Sequence, residues 1–261
     1  MWYKETMNNL STLDLKDIGL TFDAEEHIYS LAGTWVPGVT TITDMLPKPW
    51  LGPWMKSEMG KYIKSQWTPG FPFTESGIDQ IIKDAKQADK KKSKDAMGRG
   101  KDVHAAIEQY IGGSRPEEMP EGSPEAHAWD EFKKWEAEAR PVWLATELRV
   151  GSPIHGYAGT LDAIATIQNR RMIVDFKTNA TPSESWNIQT AAYQMALHEM
   201  GVEVQGRVVV RIPKEKDGGS YSITTAIEDD FKAFLALKEV YGYCQRMKRA
   251  ASPTGRGKGE R

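Results

Sequence analysis

Two apolar segments, separated by only two residues, place the strongest constraint on the fold of this chain. Residues 158–168 and 171–177 have the composition and alternation of β-strands, and Asn169-Arg170 lies between them. A two-residue connection between two such segments is typical of a tight β-hairpin. The sequence therefore predicts a pair of adjacent antiparallel strands in the second half of the chain.

Two carboxylates and a lysine interrupt this otherwise apolar hairpin. If Asn169-Arg170 forms the turn, Asp162 lies opposite Lys177 and Ile164 lies opposite Asp175. Because side chains alternate across a strand, Asp162, Asp175 and Lys177 are predicted to share one face. The two aspartates are then diagonal neighbours, about 7–8 Å apart between backbones, and both can reach one ion.

A salt bridge between Lys177 and either aspartate, on a half-exposed sheet, is the alternative interpretation of this hairpin. Asp175, however, ends the apolar run Met172-Ile173-Val174, where a solvated charge is not expected. Two carboxylates held close together repel each other unless a cation lies between them, and a hard divalent cation is the natural bridge. The pattern therefore favours a metal site.

Three further side chains are candidates for the same site. His104 and Glu108 are four residues apart on a predicted helix, so both project from one side of it. Glu147 lies on the strand that precedes the hairpin. The alternative interpretations are ordinary structural or surface roles for His104 and Glu108, and an ion pair between Glu147 and Arg149 on one strand face.

Periodicity along the rest of the chain predicts an α/β domain behind a mostly helical N-terminal region. A small hairpin is predicted at 20–31, and the proline-rich segment 47–54 is expected not to be part of a long helix. Thr181 and Pro182 are predicted to begin a helix that stops at Gly201. The predicted helices span 77–111, 126–140, 181–200 and 229–249, and the remaining strands span 142–150, 204–212 and 221–227.

Composition excludes several classes of protein. The single cysteine, Cys244, excludes an internal disulfide framework, a cysteine-ligated zinc site and an iron–sulfur cluster. No segment approaches the roughly 18 consecutive apolar residues of a membrane span, and the first residues do not resemble a signal peptide. A reducing, cytoplasmic location is therefore expected.

Several short motifs, in order along the chain, resemble the RecB-like branch of the PD-(D/E)XK nuclease superfamily, which includes phage exonucleases and the mitochondrial genome maintenance exonuclease. The resemblance runs from about residue 35 to residue 200. Gly38 stands where the family usually has serine, and the four cysteines of the iron–sulfur relatives are missing. The motifs are Trp35–Ile42, Gly100–Glu108, Glu147, Gly159-Thr160-Leu161-Asp162, Asp175-Phe176-Lys177-Thr178 and Gln189-Thr190-Ala191-Ala192-Tyr193.

This resemblance implies a restriction-endonuclease-like α/β core, with a central mixed β-sheet flanked by helices, and a metal-dependent deoxyribonuclease activity. The implied catalytic residues are Asp162, Asp175 and Lys177. The implied ligands of a Mg²⁺ or Mn²⁺ ion are His104, Asp162, Asp175 and the carbonyl oxygen of Phe176, with Glu108 and Glu147 as additional candidates. Gln189 and Tyr193 are implied to lie beside the DNA backbone.

The same resemblance divides the chain into three regions. Residues 1–100 are expected to form an N-terminal hairpin and helical region that contributes to DNA binding. Residues 101–249 are expected to form the nuclease core, and residues 250–261 a disordered basic tail. Basic residues are concentrated between Lys83 and Lys101, whereas the segment from Glu117 to Glu138 is acidic. Beside a nuclease core, such a basic stretch is expected to attract phosphates.

Aromatic side chains near the N-terminus suggest which form of DNA is bound. Trp50, Trp54, Tyr62 and Trp67 are interleaved with lysines, and aromatic faces with nearby ammonium groups are typical of single-strand binding. Packing of these rings in a core is the alternative.

The expected function is an exonuclease in DNA recombination, repair or replication, in a bacterial or phage-infected cell. Its substrate is single-stranded DNA or DNA with free ends, and its expected partner is a single-strand-binding or annealing protein. The alternatives are a structure-specific or flap endonuclease on the same fold and a catalytically silent DNA-binding module.

Overall fold

The computed structural model describes residues 13–49, 51–67, 74–178, 182–214 and 219–251, with side chains omitted at 87–97 and 99. The chain divides into two compact units, one formed by residues up to 46 together with those from 104 onward, and one formed by 47–103. Residues 13–46, which were expected to lie in the N-terminal region, therefore belong to the same unit as the residues from 104 onward. The predicted basic tail at 250–261 lies outside the described residues, except for its first two, which are helical.

The N-terminal part of the first unit is a small antiparallel sheet followed by a short helix. The predicted hairpin at 20–31 is confirmed by strands β1 (Leu20–Asp23) and β2 (Ile28–Leu31). Strand β3 (Thr34–Val36) extends this sheet, and helix α1 (Val39–Thr43) follows directly.

The second unit is helical. Helix α2 (Leu51–Ser65) starts inside the segment that was expected to be irregular, so that expectation is wrong beyond residue 50. Pro53 lies in the first turn of α2, where its missing N–H would have had no helical partner anyway. Helix α3 (Glu75–Ile111) confirms the predicted helix at 77–111 and continues into the first unit.

The remaining elements form a five-stranded sheet with helices. Strand β6 runs parallel to β7 and the other neighbours are antiparallel, so the predicted mixed sheet flanked by helices is confirmed. The spatial order of the strands follows their order in the chain. The elements are α4 (Pro124–Ala139), β4 (Val142–Ser152), β5 (Tyr157–Ile167), β6 (Arg170–Lys177), α5 (Ser185–Glu199), β7 (Gly206–Arg211), β8 (Ser220–Thr224) and α6 (Glu228–Ala251).

The central hairpin of β5 and β6 is present, but its turn lies one residue earlier than predicted. Gln168 and Asn169 form the turn, with φ of 49° and 61°, as expected for a tight hairpin turn in which both central residues are left-handed. Ile164 therefore pairs with Ile173 rather than with Asp175, and the predicted pairings of both aspartates are wrong. The prediction was wrong because residues 168–171 are all polar, so the sequence does not show which two of them form the turn.

Helix α5 begins later and ends where it was predicted to end. Its first residue is Ser185, so Pro182 does not occupy the first helical position, and the predicted cap Thr181 lies outside the described residues. Gly201 follows the helix with φ of 87°, the left-handed conformation that favours glycine at a helix C-terminus.

The main core lies between the sheet and α5, α1 and α6. It contains buried residues of β5 and β6, including Ile164 and Ile173, and the buried face of α5, including Ala192 and Leu197. This packing fixes α5 against the strands that carry the two aspartates. Among the residues that the structure describes, none of the helices combines the length and apolarity needed to cross a membrane.

Candidate active site

The candidate site lies where strands β5 and β6 stop pairing. The last pair of their ladder is Ala163–Val174. Asp162 and Asp175 are the next residues beyond this pair, one on each strand. Asp162 Oδ2 accepts a hydrogen bond of 2.7 Å from the backbone N–H of Phe176 and lies 3.6 Å from Nδ1 of His104. The Asp162 carboxylate thus takes the place of a ladder bond and reaches a histidine of α3.

Asp175 and Lys177 form the second half of the site. Asp175 is only 1% exposed, and its Oδ2 lies 2.8 Å from the ammonium nitrogen of Lys177. Lys177 also donates a hydrogen bond of 3.1 Å to Oε1 of Gln189, whose Nε2 lies 3.5 Å from Asp175 Oδ1. The salt bridge of the alternative interpretation is therefore present between Lys177 and Asp175, although on a buried rather than a half-exposed part of the sheet, and Gln189 of α5 contacts both partners.

Tyr193 holds the side chain of Gln189 in place through a hydrogen bond. Its hydroxyl oxygen accepts a hydrogen bond of 3.0 Å from Gln189 Nε2, and its ring is buried. A Cβ atom at Gly159 would lie 2.7 Å from the Tyr193 ring, so this ring needs a glycine on the neighbouring strand. Tyr193 is 2% exposed and its hydroxyl contacts Gln189, and its expected place beside the DNA backbone stays a prediction.

The two carboxylates differ in their electrostatics. Burial raises the pKa of Asp175 to about 6, with Asp162 adding to the rise and Lys177 opposing it. Burial also acts to raise the pKa of Asp162, but the nearby His104, Lys177 and the Phe176 N–H outweigh it and leave that pKa lowered. His104 has a raised pKa because Asp162 outweighs the opposing effect of its burial.

Glu147 and Glu108 lie at the edge of this site. The pKa of Glu147 is raised to about 7, mainly by burial and then by the charges of Asp162 and Glu108, while His104 and Arg149 act to lower it. Glu147 also has a left-handed backbone, with φ of 46°, which is unusual for a side chain of this size. Arg149 and Glu147 interact through their charges, but among the described residues they form no ion pair.

The donor set fits a hard divalent cation with few protein ligands. Asp175 Oδ2 is buried and, among the described residues, has no partner with hydrogen-bond geometry, although Lys177 lies beside it. A small ion such as Mg²⁺ takes one or two carboxylates and keeps several waters. In the described part of the chain, no three His, Cys, Asp or Glu side chains cluster tightly enough to form a complete cage.

Two contacts of this site had no signal in the sequence. Tyr29, a buried residue of β2, shares a hydrogen bond of 2.9 Å with the hydroxyl of Thr160, two residues before Asp162. Thr146 of β4 donates a hydrogen bond of 3.0 Å to the carbonyl oxygen of Asp162. Both contacts depend on how separate elements pack, which no local pattern reveals.

A mixed sheet with an aspartate on one central strand and an Asp-x-Lys pair on the next is the arrangement expected of a PD-(D/E)XK nuclease core. Residues 123–258 match the family model described as the PD-(D/E)XK nuclease superfamily, which is just over half of the chain. This protein belongs to that superfamily. Its members are phosphodiester hydrolases that are generally dependent on divalent metal ions.

Several solved structures are similar to this chain at low scores. One is LHK-Exo in complex with dAMP, with 16% identity, a TM-score of 0.30, and coverage of 59% of this chain and 92% of that one. A second is the alkaline exonuclease LHK-Exo from Laribacter hongkongensis, with 14% identity, a TM-score of 0.28, and coverage of 77% and 100%.

A third is SSO0001, with 17% identity, a TM-score of 0.30, and coverage of 43% of this chain and 54% of that one, so this chain spans about half of its length. No curated protein sequence matches the chain.

Proposed function

We propose that this protein is a metal-dependent DNA exonuclease that hydrolyses phosphodiester bonds. One observation carries the proposal: Asp162, Asp175 and Lys177 meet where two central strands part, and Gln189 holds the lysine in place. One buried and one half-buried carboxylate with a fixed ammonium group serve no evident need of the core, because apolar residues of similar size would pack there at lower cost.

The proposed ion is Mg²⁺ or Mn²⁺, held by Asp162, Asp175 and the carbonyl oxygen of Phe176, with His104 completing the set. When bound, such an ion lowers the pKa of a coordinated water and neutralises charge on the phosphate. Glu108 and Glu147 are the additional candidate ligands, since both lie within electrostatic reach of Asp162 or of each other.

Lys177 is proposed to act on the scissile phosphate directly. Its ammonium group carries three N–H donors, of which Gln189 takes one and Asp175 attracts another. The remaining donor can hydrogen-bond the attacking water or a phosphoryl oxygen, where negative charge develops in the transition state. Gln189 removes the rotational freedom of the lysine, which preorganises this contact.

The proposed substrate is DNA that is single-stranded or has free ends. Trp67 is 62% exposed, and Trp54 and Tyr62 are half-buried on α2, so these rings are not all part of a packed core. Trp50 lies outside the described residues. Aromatic surfaces beside lysines support a role in binding unpaired bases. A role in recombination, repair or replication, in bacterial or phage-infected cytoplasm with an annealing or single-strand-binding partner, follows from the resemblance of the motifs.

The test is digestion of labelled DNA by the purified full chain. Single-stranded and double-stranded oligonucleotides labelled at the 5′ or the 3′ end, and a covalently closed circle, are incubated with Mg²⁺ or Mn²⁺ or with chelator. An exonuclease releases labelled products from ends, leaves the circle intact and stops with chelator.

Two variants identify the active site. Replacing Lys177 with Ala should abolish cleavage while DNA binding is retained, and Lys232→Ala, at an exposed lysine of α6, is the control. Cutting of the circle would establish the endonuclease alternative instead, and binding without any cleavage would establish the silent binding module.

A further inference from the structure

An exposed arginine of β4 lies over an aromatic ring beside the candidate active site. The Cζ atom of Arg149 is 5.0 Å from the centre of the Phe22 ring. Phe22 in turn contacts the rings of Tyr29 and His27, at 4.6 and 5.1 Å between ring centres. The guanidinium group is therefore held by a cation–π contact with a ring that is itself fixed by its neighbours.

Arg149 is connected to the active site through the β4–β5 ladder. It pairs directly with Thr160, so their side chains lie on the same face of the sheet. The Thr160 hydroxyl is bonded to Tyr29, which carries Phe22 beside it on the neighbouring strand. Thr160 precedes Asp162 by two residues, about 6.6 Å along the strand.

Among the residues that the structure describes, the guanidinium group of Arg149 takes part in no hydrogen bond and no ion pair. Its charge lowers the pKa of the nearby Glu147, but the two side chains do not form an ion pair there. An arginine has five N–H donors in a planar fork that matches the geometry of a phosphate. An exposed, oriented and unpaired guanidinium next to a nuclease centre is suited to an anionic ligand.

We propose that Arg149 binds a backbone phosphate of the DNA strand next to the scissile phosphate, and that Phe22 positions its guanidinium group for this contact. The inference rests on the proposed nuclease function and adds a substrate contact to it. The site needs such a contact because Asp162, Asp175 and Glu147 repel an approaching phosphate, and a fixed cation at their edge offsets that repulsion.

The test measures the binding of a single-stranded, fluorescently labelled oligonucleotide to the full chain in chelator, so that no cleavage occurs. Dissociation constants are determined by fluorescence anisotropy at several salt concentrations between roughly 50 and 300 mM, and log Kd is plotted against the logarithm of the salt concentration. For single strands each phosphate contact contributes about 0.7 to the slope of that plot. Arg149→Gln should lower the slope by about 0.7 and raise Kd about tenfold.

Three further variants separate the charge from its geometry. Arg149→Lys should keep the slope but raise Kd about threefold, because lysine lacks the planar fork. Phe22→Leu should have a similar effect in the parent chain and none in the Arg149→Gln background, since Phe22 acts through the arginine. A purely structural Phe22 would instead weaken both backgrounds equally. Arg170→Gln, the same change at the exposed first residue of β6, is the control and should leave slope and Kd unchanged.

The outcomes separate this inference from the nuclease proposal. If the parent chain cleaves DNA but Arg149→Gln binds with unchanged slope and Kd, the phosphate contact is refuted and the nuclease function stands. If the parent chain binds with an Arg149-dependent slope but never cleaves, the contact stands and the nuclease function is refuted. With both correct, Arg149→Gln raises the KM for cleavage by about the same factor as it raises Kd, about tenfold, and Arg170→Gln changes neither.

Discussion

Gly159 makes the coupling between the two sides of the active site testable. A methyl group at this position would lie 2.7 Å from Cε1 of Tyr193 and 3.3 Å from Cγ2 of Val39, whereas ordinary contact begins at 3.4 Å. In Gly159→Ala the Tyr193 ring must therefore move by about 0.7 Å, and protein cores are close-packed enough that such a movement displaces further neighbours. Such overpacking costs about 1–3 kcal/mol.

The same displacement reaches Lys177. The Tyr193 hydroxyl holds Gln189, and Gln189 holds the ammonium group, through hydrogen bonds of 3.0 and 3.1 Å. A misplacement approaching 1 Å at a catalytic group can lower the rate by up to about a hundredfold. We expect Gly159→Ala to lower kcat at least tenfold and to reduce Tm by roughly 2–12 °C, since each kcal/mol corresponds to about 2–4 °C at this size.

The assays are thermal unfolding and cleavage of a labelled oligonucleotide at saturating substrate. Gly60→Ala provides the matched control, because a Cβ at this helical position would meet nothing within 4 Å. It should raise Tm slightly through helix propensity and leave kcat unchanged. A Gly159→Ala protein with the parental Tm and kcat would show that the ring is not held as described and would refute the coupling.

Three other outcomes follow from contacts of single side chains. Gln189→Ala should lower kcat about tenfold with little change in Tm, because it frees Lys177 without opening the core; a change confined to KM in steady-state cleavage would contradict this. Glu147→Gln should stabilise the protein at pH 8 but not at pH 4, measured by urea unfolding in chelator. The carboxyl has a pKa near 7 when folded, above its ordinary value, so wild-type stability falls as the pH rises through that range. Arg207→Ala should cost about 3–5 kcal/mol in urea unfolding, because it leaves Asp230 and two carbonyl oxygens without their buried partner; a loss below 1 kcal/mol would show that this ion pair is dispensable.

The sequence predicted the helices and strands of the core better than the register and the tertiary contacts between them. The helices at 77–111 and 229–249 and the central hairpin are specified by local periodicity, which is visible in any window of the sequence. The exact turn is not, because Gln168, Asn169 and Arg170 are all polar and only the φ angles distinguish the turn from the strand end.

The predicted meeting of Asp162, Asp175 and Lys177 came from the wrong register. The ladder that was extrapolated to reach these residues ends before them, and contacts from α3 and α5 complete the cluster instead. Tertiary contacts of this kind have no local sequence pattern. The order of the family motifs, rather than periodicity, indicated that these three residues belong to one site. The same limit applies to Tyr29, whose hairpin looks like any other short hairpin.

The parting of β5 and β6 has a consequence for the Asp162 carboxylate. One oxygen of this group accepts a hydrogen bond from the backbone N–H of Phe176, which has no ladder partner on β5. A side chain that closes the frayed end of a sheet in this way cannot be exchanged for an apolar one without leaving a backbone donor stranded. Asparagine is therefore the gentlest substitute, since its amide oxygen can accept the same hydrogen bond while the negative charge disappears. Asp162→Asn therefore removes the charge that the proposed metal site requires while it keeps the hydrogen bond to the Phe176 N–H.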